Sequence, residues 1–194
     1  MALWPNMSVR DGIASLPWPT GKKCGNESRA GRTYRAFSSN PARNHPDNGL
    51  GVNFLFKPVA PFYISTGFQD AQGQATTTGF GTFGEGDYFY GAEVGMAPKI
   101  QGYGQGNYQL TFEYTDPIDR LGKPDEKFIG ISLDQEIGAG VIPFFRYSWT
   151  QGNATNVKYL VAAGFGFSGP LGRTNDFAGI AGSWGRAATG GWDS

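Results

Sequence analysis

Eight stretches of this sequence alternate apolar and polar side chains, and in each of them the charges keep to one side of the alternation. Successive side chains of a β-strand point to opposite faces, whereas a helix would spread a period-two pattern around its whole surface. The pattern is plainest from Ile129 to Ile137. One face there takes Ile129, Ile131, Leu133 and Ile137, and the other takes Ser132, Asp134 and Glu136. A sheet that repeats one apolar face and one charged face, strand after strand, has the chemistry of a wall between lipid and water.

The spacing predicts strands over 50–58, 62–69, 88–96, 107–115, 128–137, 141–149, 159–168 and 177–186, each eight to ten residues long. That is about the length a tilted strand needs to cross a bilayer. The apolar faces begin with Leu50/Val52/Phe54/Phe56, Phe62/Ile64/Phe68, Tyr88/Tyr90/Val94/Met96 and Tyr108/Leu110/Phe112/Tyr114. After the Ile129 set they continue with Val141/Phe145/Tyr147/Trp149, Tyr159/Val161/Ala163/Phe165/Phe167 and, more weakly, Ala178/Ile180/Trp184. The opposite faces hold Asn53, Lys57, Ser65, Gln69, Glu93, Gln109, Thr111, Glu113, Ser132, Asp134, Glu136, Arg146 and Ser148. Arg186, at the end of the last strand, is the one charge on the apolar phase, where it could reach lipid headgroups.

Connection lengths add an orientation. The gaps after strands one, three, five and seven are 3, 10, 3 and 8 residues, and those after two, four and six are 18, 12 and 9. Short turns on one side and long loops on the other fit an up-and-down antiparallel barrel with the short side periplasmic. Tyr88, Tyr114, Trp149, Tyr159 and Trp184 then fall at the outer strand ends, and Phe56, Phe62, Tyr108 and Phe167 at the inner ends, as two membrane-interface aromatic belts. A soluble β-sandwich also alternates, but its wet face usually carries more Lys and Glu than the glycine-rich polar face here.

The chain therefore divides into an irregular or loop segment over 1–48, a barrel region over 49–186 and a tail over 187–194. Residues 1–48 hold 7 Lys/Arg and 3 Asp/Glu, and the remainder 9 and 13, so the total of zero net charge gives no global pull toward nucleic acid. The single cysteine, Cys24, excludes an internal disulfide. Met1-Ala2-Leu3-Trp4-Pro5-Asn6 does not read as a secretory signal, so the expectation is a mature, truncated or mis-started chain.

Catalysis is poorly supplied, and no catalytic residue, cofactor or metal is expected. The one histidine, His45, precedes the strands, and there is no His/Cys cluster for zinc. Asp116, Asp119, Asp125 and Glu126 crowd one outer loop and read as a solvated acidic loop before a calcium site. The inward face offers hydrogen bonds and a local field. Glu93, Glu113, Asp134 and Glu136 oppose Lys57 and Arg146, and the inward rings Tyr63, Phe89 and Phe144 could meet sugar C–H faces. The alternative is that these charges pair and fill a narrow barrel.

The run Asp87-Tyr88-Phe89-Tyr90-Gly91-Ala92-Glu93-Val94-Gly95 resembles a segment of the bacterial carbohydrate-selective porins, the OprB-type family. So do Gly106–Leu110, Ile131–Gly138 followed by Phe144-Phe145-Arg146-Tyr147, Asn40-Pro41 through Pro46–Gly51, and Gly164-Phe165 to Gly169-Pro170-Leu171. The resemblance covers roughly residues 40–186. It implies an outer-membrane barrel that passes small sugars by diffusion through an eyelet of Arg and Glu residues, which maps onto Glu93, Asp134, Glu136 and Arg146. It also implies a barrel of about twice eight strands, so this chain is expected to be a C-terminal-half fragment. Expected partners are small neutral sugars, outer-membrane lipid and further copies of the chain, with no nucleic acid. The alternatives are a non-conducting structural or adhesive barrel piece and a secreted carbohydrate-binding sandwich.

Overall fold

The computed structural model describes residues 50–73, 80–152, 154–155, 157–172 and 176–188, without the side chains of Asn53 and Phe177. The expectations for the segment 1–48, including Cys24 and His45, and for most of the tail lie outside these residues.

All eight alternating stretches form strands: β1 (Gly51–Phe56), β2 (Phe62–Asp70), β3 (Tyr88–Met96), β5 (Gly104–Thr115), β6 (Glu126–Gln135), β7 (Val141–Gly152), β8 (Val157–Ser168) and β9 (Phe177–Ala187). A ninth, β4 (Lys99–Ile100), has two residues and pairs only with the start of β5. The sheet runs β1-β2-β3-β5-β6-β7-β8-β9, antiparallel throughout, so each long strand lies beside its neighbours in sequence. Two 3-10 turns, Phe83–Glu85 and Asp119–Leu121, sit in the loops after β2 and β5. Among the described residues β1 pairs only with β2 and β9 only with β8, leaving the sheet open at both edges.

The register carries the alternation intact across the wall. Phe56, Ile64, Val94, Leu110, Ile131, Tyr147, Val161 and Trp184 form one continuous cross-strand row. The adjacent row reads Leu55, Ser65, Glu93, Thr111, Gly130, Ser148, Leu160 and Gly185. Facing pairs share a side of the sheet, so these two rows point in opposite directions. Exposure is inverted relative to a soluble domain. Phe62, Ile64, Tyr90, Val94, Leu110, Phe112, Leu133, Phe145, Phe165, Ile180 and Trp184 are exposed, while Ser65, Gln69, Glu93, Glu113, Ser148 and Thr150 are buried. Exposed large apolar patches and buried polar groups are the informative departures from ordinary surfaces. A sandwich would cover this apolar face with a second sheet. The described residues form a single layer.

Glycine makes room for the rings on the polar face. A Cβ at Gly95 would overlap the Tyr63 ring, which lies directly across it in the ladder. A Cβ at Gly130 would sit 2.8 Å from Cε1 of Phe128.

The connections alter one sequence-based reading. The 71–87 and 116–125 loops are long as expected, but β7 and β8 both extend outward and leave only residues 153–156 between them. The short/long alternation therefore holds for two of the three outer loops. The extended strands also bring charge onto the apolar phase at the outer rim. Lys127 enters β6 opposite Tyr114, and Asp70 ends β2 opposite Tyr88, where the 71–87 loop buries it. The confinement of charge to one face is thus a property of the middle of the wall.

Replacing Gly95 by Val displaces Tyr63 and is expected to destabilise the sheet by about 1–3 kcal/mol in a denaturant titration of the detergent-folded protein. Ala92→Val, on the opposite face of the same strand, is expected to stay within about 0.5 kcal/mol.

Candidate functional site

The polar face concentrates its functional groups on one cross-strand row and its flanks. Tyr63, Gly95, Gln109, Ser132 and Arg146 follow one another along a single row from β2 to β7. Strands are spaced about 4.8 Å apart, so the row spans about 19 Å from Tyr63 to Arg146. Two carboxylates are held against it, one near each end.

At the β2 end, Glu93 is the hub. Tyr63 Oη donates to its Oε1 at 2.8 Å, and Thr111 Oγ1 donates to its Oε2 at 3.0 Å. Gln109 Nε2 in turn donates to Tyr63 Oη at 3.0 Å. Glu93 is buried, and each of its oxygens accepts from a neutral hydroxyl. The reach of Tyr63 to Glu93 depends on the bare backbone of Gly95, which lets the phenol lie flat across β3.

At the β7 end, Arg146 Nη2 meets Asp134 Oδ2 at 2.9 Å, an ion pair whose side chains remain about one-fifth exposed at 17% and 21%. Arg146 Nη1 donates to the carbonyls of Leu133 and Phe145 at 2.9 and 3.1 Å, and the guanidinium lies 5.6 Å from the centroid of the Phe144 ring. The planar fork is fixed from three sides, and Ser132 stands between this pair and the Glu93 hub.

The six charged residues expected to face a lumen therefore separate. Arg146 ends the row, and Glu93 and Asp134 flank it. Glu113 is buried on the same face nearer the outer end, paired across from Gly91 and Phe128. Glu136 leaves β6 and folds over Gly104, its Oε2 accepting from the Gln105 amide at 3.5 Å. Lys57 stands exposed just past the end of β1. Of the three inward rings, Phe89 is 1% exposed and offers no open face to a solute, and Phe144 is buried beneath Arg146. Tyr63 is the ring whose role sequence reasoning underrated. Its sign in the sequence is an inward phase, but only the register shows a glycine across from it.

The outer loops are tied to the wall by carboxylates. Asp70 accepts from the Gln72 amide at 2.9 Å and from the Thr82 hydroxyl. Gln72 Nε2 bridges Asp87 Oδ2 and the Pro117 carbonyl at 2.9 and 3.0 Å, joining the 71–87 and 116–125 loops. Asp116 accepts from the Tyr88 amide and the Tyr114 hydroxyl, both at 2.9 Å, and Glu126 accepts from Thr155 at 3.0 Å. Asp116 and Glu126 thus serve as loop anchors, and among the described residues no group of three His, Cys, Asp or Glu is placed to hold a metal. Of the aromatic residues expected at the outer ends, Tyr88 and Tyr114 join a contact group with Phe68, Phe83 and Tyr90, Tyr159 packs with Trp184 at 5.3 Å between centroids, and Trp149 lies across the ladder from Tyr159.

No protein-family model matches the sequence, and no curated protein matches it. Among solved structures the chain is similar to OprB of Pseudomonas putida, in a structure determined at high pH, with a TM-score of 0.58 and 16% identity. The match covers 72% of this chain and 40% of that one. The likeness concerns the fold: an antiparallel up-and-down sheet similar to part of the OprB β-barrel, spanning well under two-thirds of that protein's length.

In a double-mutant cycle on Asp134→Asn and Arg146→Gln, unfolding in detergent is expected to show a coupling of about 1–2 kcal/mol. Additive effects would mean that the pair holds no shared geometry.

Proposed function

We propose that this chain forms part of the wall of an outer-membrane porin that passes small neutral sugars by diffusion. The carrying observation is the inverted sheet: large apolar side chains exposed on one face, and buried polar and charged groups on the other. With no water to satisfy backbone groups in lipid, a sheet crosses a membrane only when its strands are paired around a closed barrel. On this reading the edges at β1 and β9, open among the described residues, are where the barrel would have to be closed. The protein is then a channel and not an enzyme: solutes move down a gradient, and no residue acts as acid, base or nucleophile.

The row from Tyr63 to Arg146 is the proposed solute-facing stripe. Its Gln, Ser and Arg donors and its carboxylate acceptors match a hydroxylated solute, whose hydroxyls exchange water contacts for protein contacts without a charge to desolvate. Glu93, Asp134 and Arg146 carry the field, Glu113 lies nearer the outer end, and Glu136 and Lys57 stand at the inner rim. Tyr88, Tyr114, Trp149, Tyr159 and Trp184 mark the outer interface. A second reading, a wall piece that does not conduct, draws on the two edges left open among the described residues and on the hydrogen bonds that tie Glu93 to its own neighbours.

Liposome swelling decides between them. With the barrel closed, swelling is expected to be faster for a monosaccharide than for a trisaccharide, and Arg146→Ala is expected to change that ratio by about threefold or more, the scale of one lost hydrogen-bonding contact. Insertion without swelling supports the non-conducting reading, and an unchanged ratio removes Arg146 from the stripe. Lipid contact is tested separately. Leu110→Lys is expected to cost about 2–4 kcal/mol of folding stability in bilayers, whereas the inward Gln109→Lys is tolerated.

A further inference from the structure

The outer rim of β6 to β9 carries a feature that sugar passage does not use. Lys127 lies on the apolar phase of β6, facing Tyr114 across the ladder, and is exposed. Arg186 lies on the apolar phase of β9, opposite Tyr159, and is also exposed. Between them, Lys158 falls at the single register shift in the β8–β9 pairing, between Val157 and Tyr159. A bulge inserts an extra residue and re-aims side chains. Simple alternation would turn Lys158 inward with Leu160, yet its Nζ stands 5.8 Å from the centroid of Trp149, a ring on the apolar face. The Thr150 hydroxyl, itself 1% exposed, donates to the Val157 carbonyl at 3.1 Å and holds the chain at the bulge.

Three cations therefore crowd one end of the apolar face, interleaved with Trp149, Tyr159 and Trp184. Lys127 and Arg186 are three strand spacings apart, about 14 Å between backbones. Among the described residues none of the three forms an ion pair. The acidic groups nearby are committed or lie in the loop: Glu126 is buried against Thr155, and Asp125 precedes β6. On the other half of the same rim the charges at the strand ends are Asp70, Asp87 and Asp116, each accepting hydrogen bonds, with Arg120 of the 116–125 loop bonded to the Gly73 carbonyl.

We propose that this rim binds a phosphate-bearing lipid head group of the outer leaflet. The inference rests on the reading of the sheet as a membrane wall with β2–β3 and β5–β6 loops outward. Cations near a membrane surface attract anionic lipid, and flanking Trp and Tyr hold the apolar part of such a lipid at headgroup depth. Lipid phosphate supplies the anion that the three cations lack, and acyl chains cover the apolar face below them.

The full chain folded in zwitterionic micelles is exposed to diphosphoryl lipid A, and retained lipid is counted by native mass spectrometry. Lipid A treated with phosphatase and free inorganic phosphate form the other arms. Retention is expected for the diphosphoryl form, with loss of about fivefold per removed cation and about a hundredfold for Lys127→Gln/Lys158→Gln/Arg186→Gln. Lys99→Gln, an exposed lysine at the other end of the sheet, is expected to leave retention unchanged. Circular dichroism checks that each variant keeps its β-structure. Equal retention of the dephosphorylated lipid, or by the triple variant, overturns the proposal while leaving the membrane wall in place. Competition by inorganic phosphate at equal concentration overturns it in favour of a small-anion site. A chain that enters neither micelles nor bilayers removes both readings.

Discussion

Everything this chain does depends on the unbroken register of its backbone ladder. A strand has a side-chain period of two, so a slip of one residue would send every apolar side chain to the polar face. Seven successive long-strand pairings avoid that slip through the body of the wall, and the cross-strand row from Phe56 to Trp184 stays apolar or aromatic on all eight strands. The two faces thus acquire different solvents. The Glu93 hub and the Arg146–Asp134 pair exist because the ladder delivers residues far apart in sequence to the same side at neighbouring spacings.

The polar face adds a second requirement, space. Side chains on the concave side of a curved sheet converge, and a phenol and a carboxylate from adjacent strands would compete for one volume if every position carried a Cβ. Gly95 removes that competition by letting the Tyr63 ring lie over its backbone, so that the hydroxyl reaches Glu93. Gly130 gives the Phe128 ring similar room. The abundance of glycine on this face is therefore part of how the polar network is packed, and the aromatic rings over glycine also help fix the register of neighbouring strands.

The wall was legible in the sequence because alternation is local: each strand announces its two faces within eight or so residues. What crosses strands was not. The phase of Tyr63 was readable, but its partnership with Glu93 requires knowing that Gly95 sits opposite. Lys57 and Glu136 had the correct phase for the polar face, yet both lie just past a strand end, where phase no longer fixes direction. β4 escaped notice because two residues carry no period, and its hairpin is held by Gln105, whose side chain donates to the Ala97 and Pro98 carbonyls at 2.9 Å. The β7–β8 connection was overestimated for a related reason. Thr150 and Lys158 lack the side chains of typical wall residues, and their place in the strands follows from pairing and from the Thr150–Val157 hydrogen bond.

The distribution of charge on the apolar face then has a physical order. The cost of a cation facing lipid is greatest at the bilayer midplane and falls toward zero at the interfaces. Through the middle rows, from Phe112 and Ile129 to Leu133 and Phe145, that face carries no charge. Its charges arrive only within the last residues of the outer strand ends: Asp70, Lys127, Lys158 at its bulge, and Arg186. In a soluble sheet a second protein layer covers the apolar face, whereas here the described residues form one layer and that face stays exposed. Sorting by height is what a slab of hydrocarbon with two wet boundaries imposes, and the bulge at Lys158 shows the backbone departing from regular pairing at the one level where a cation on that face costs little.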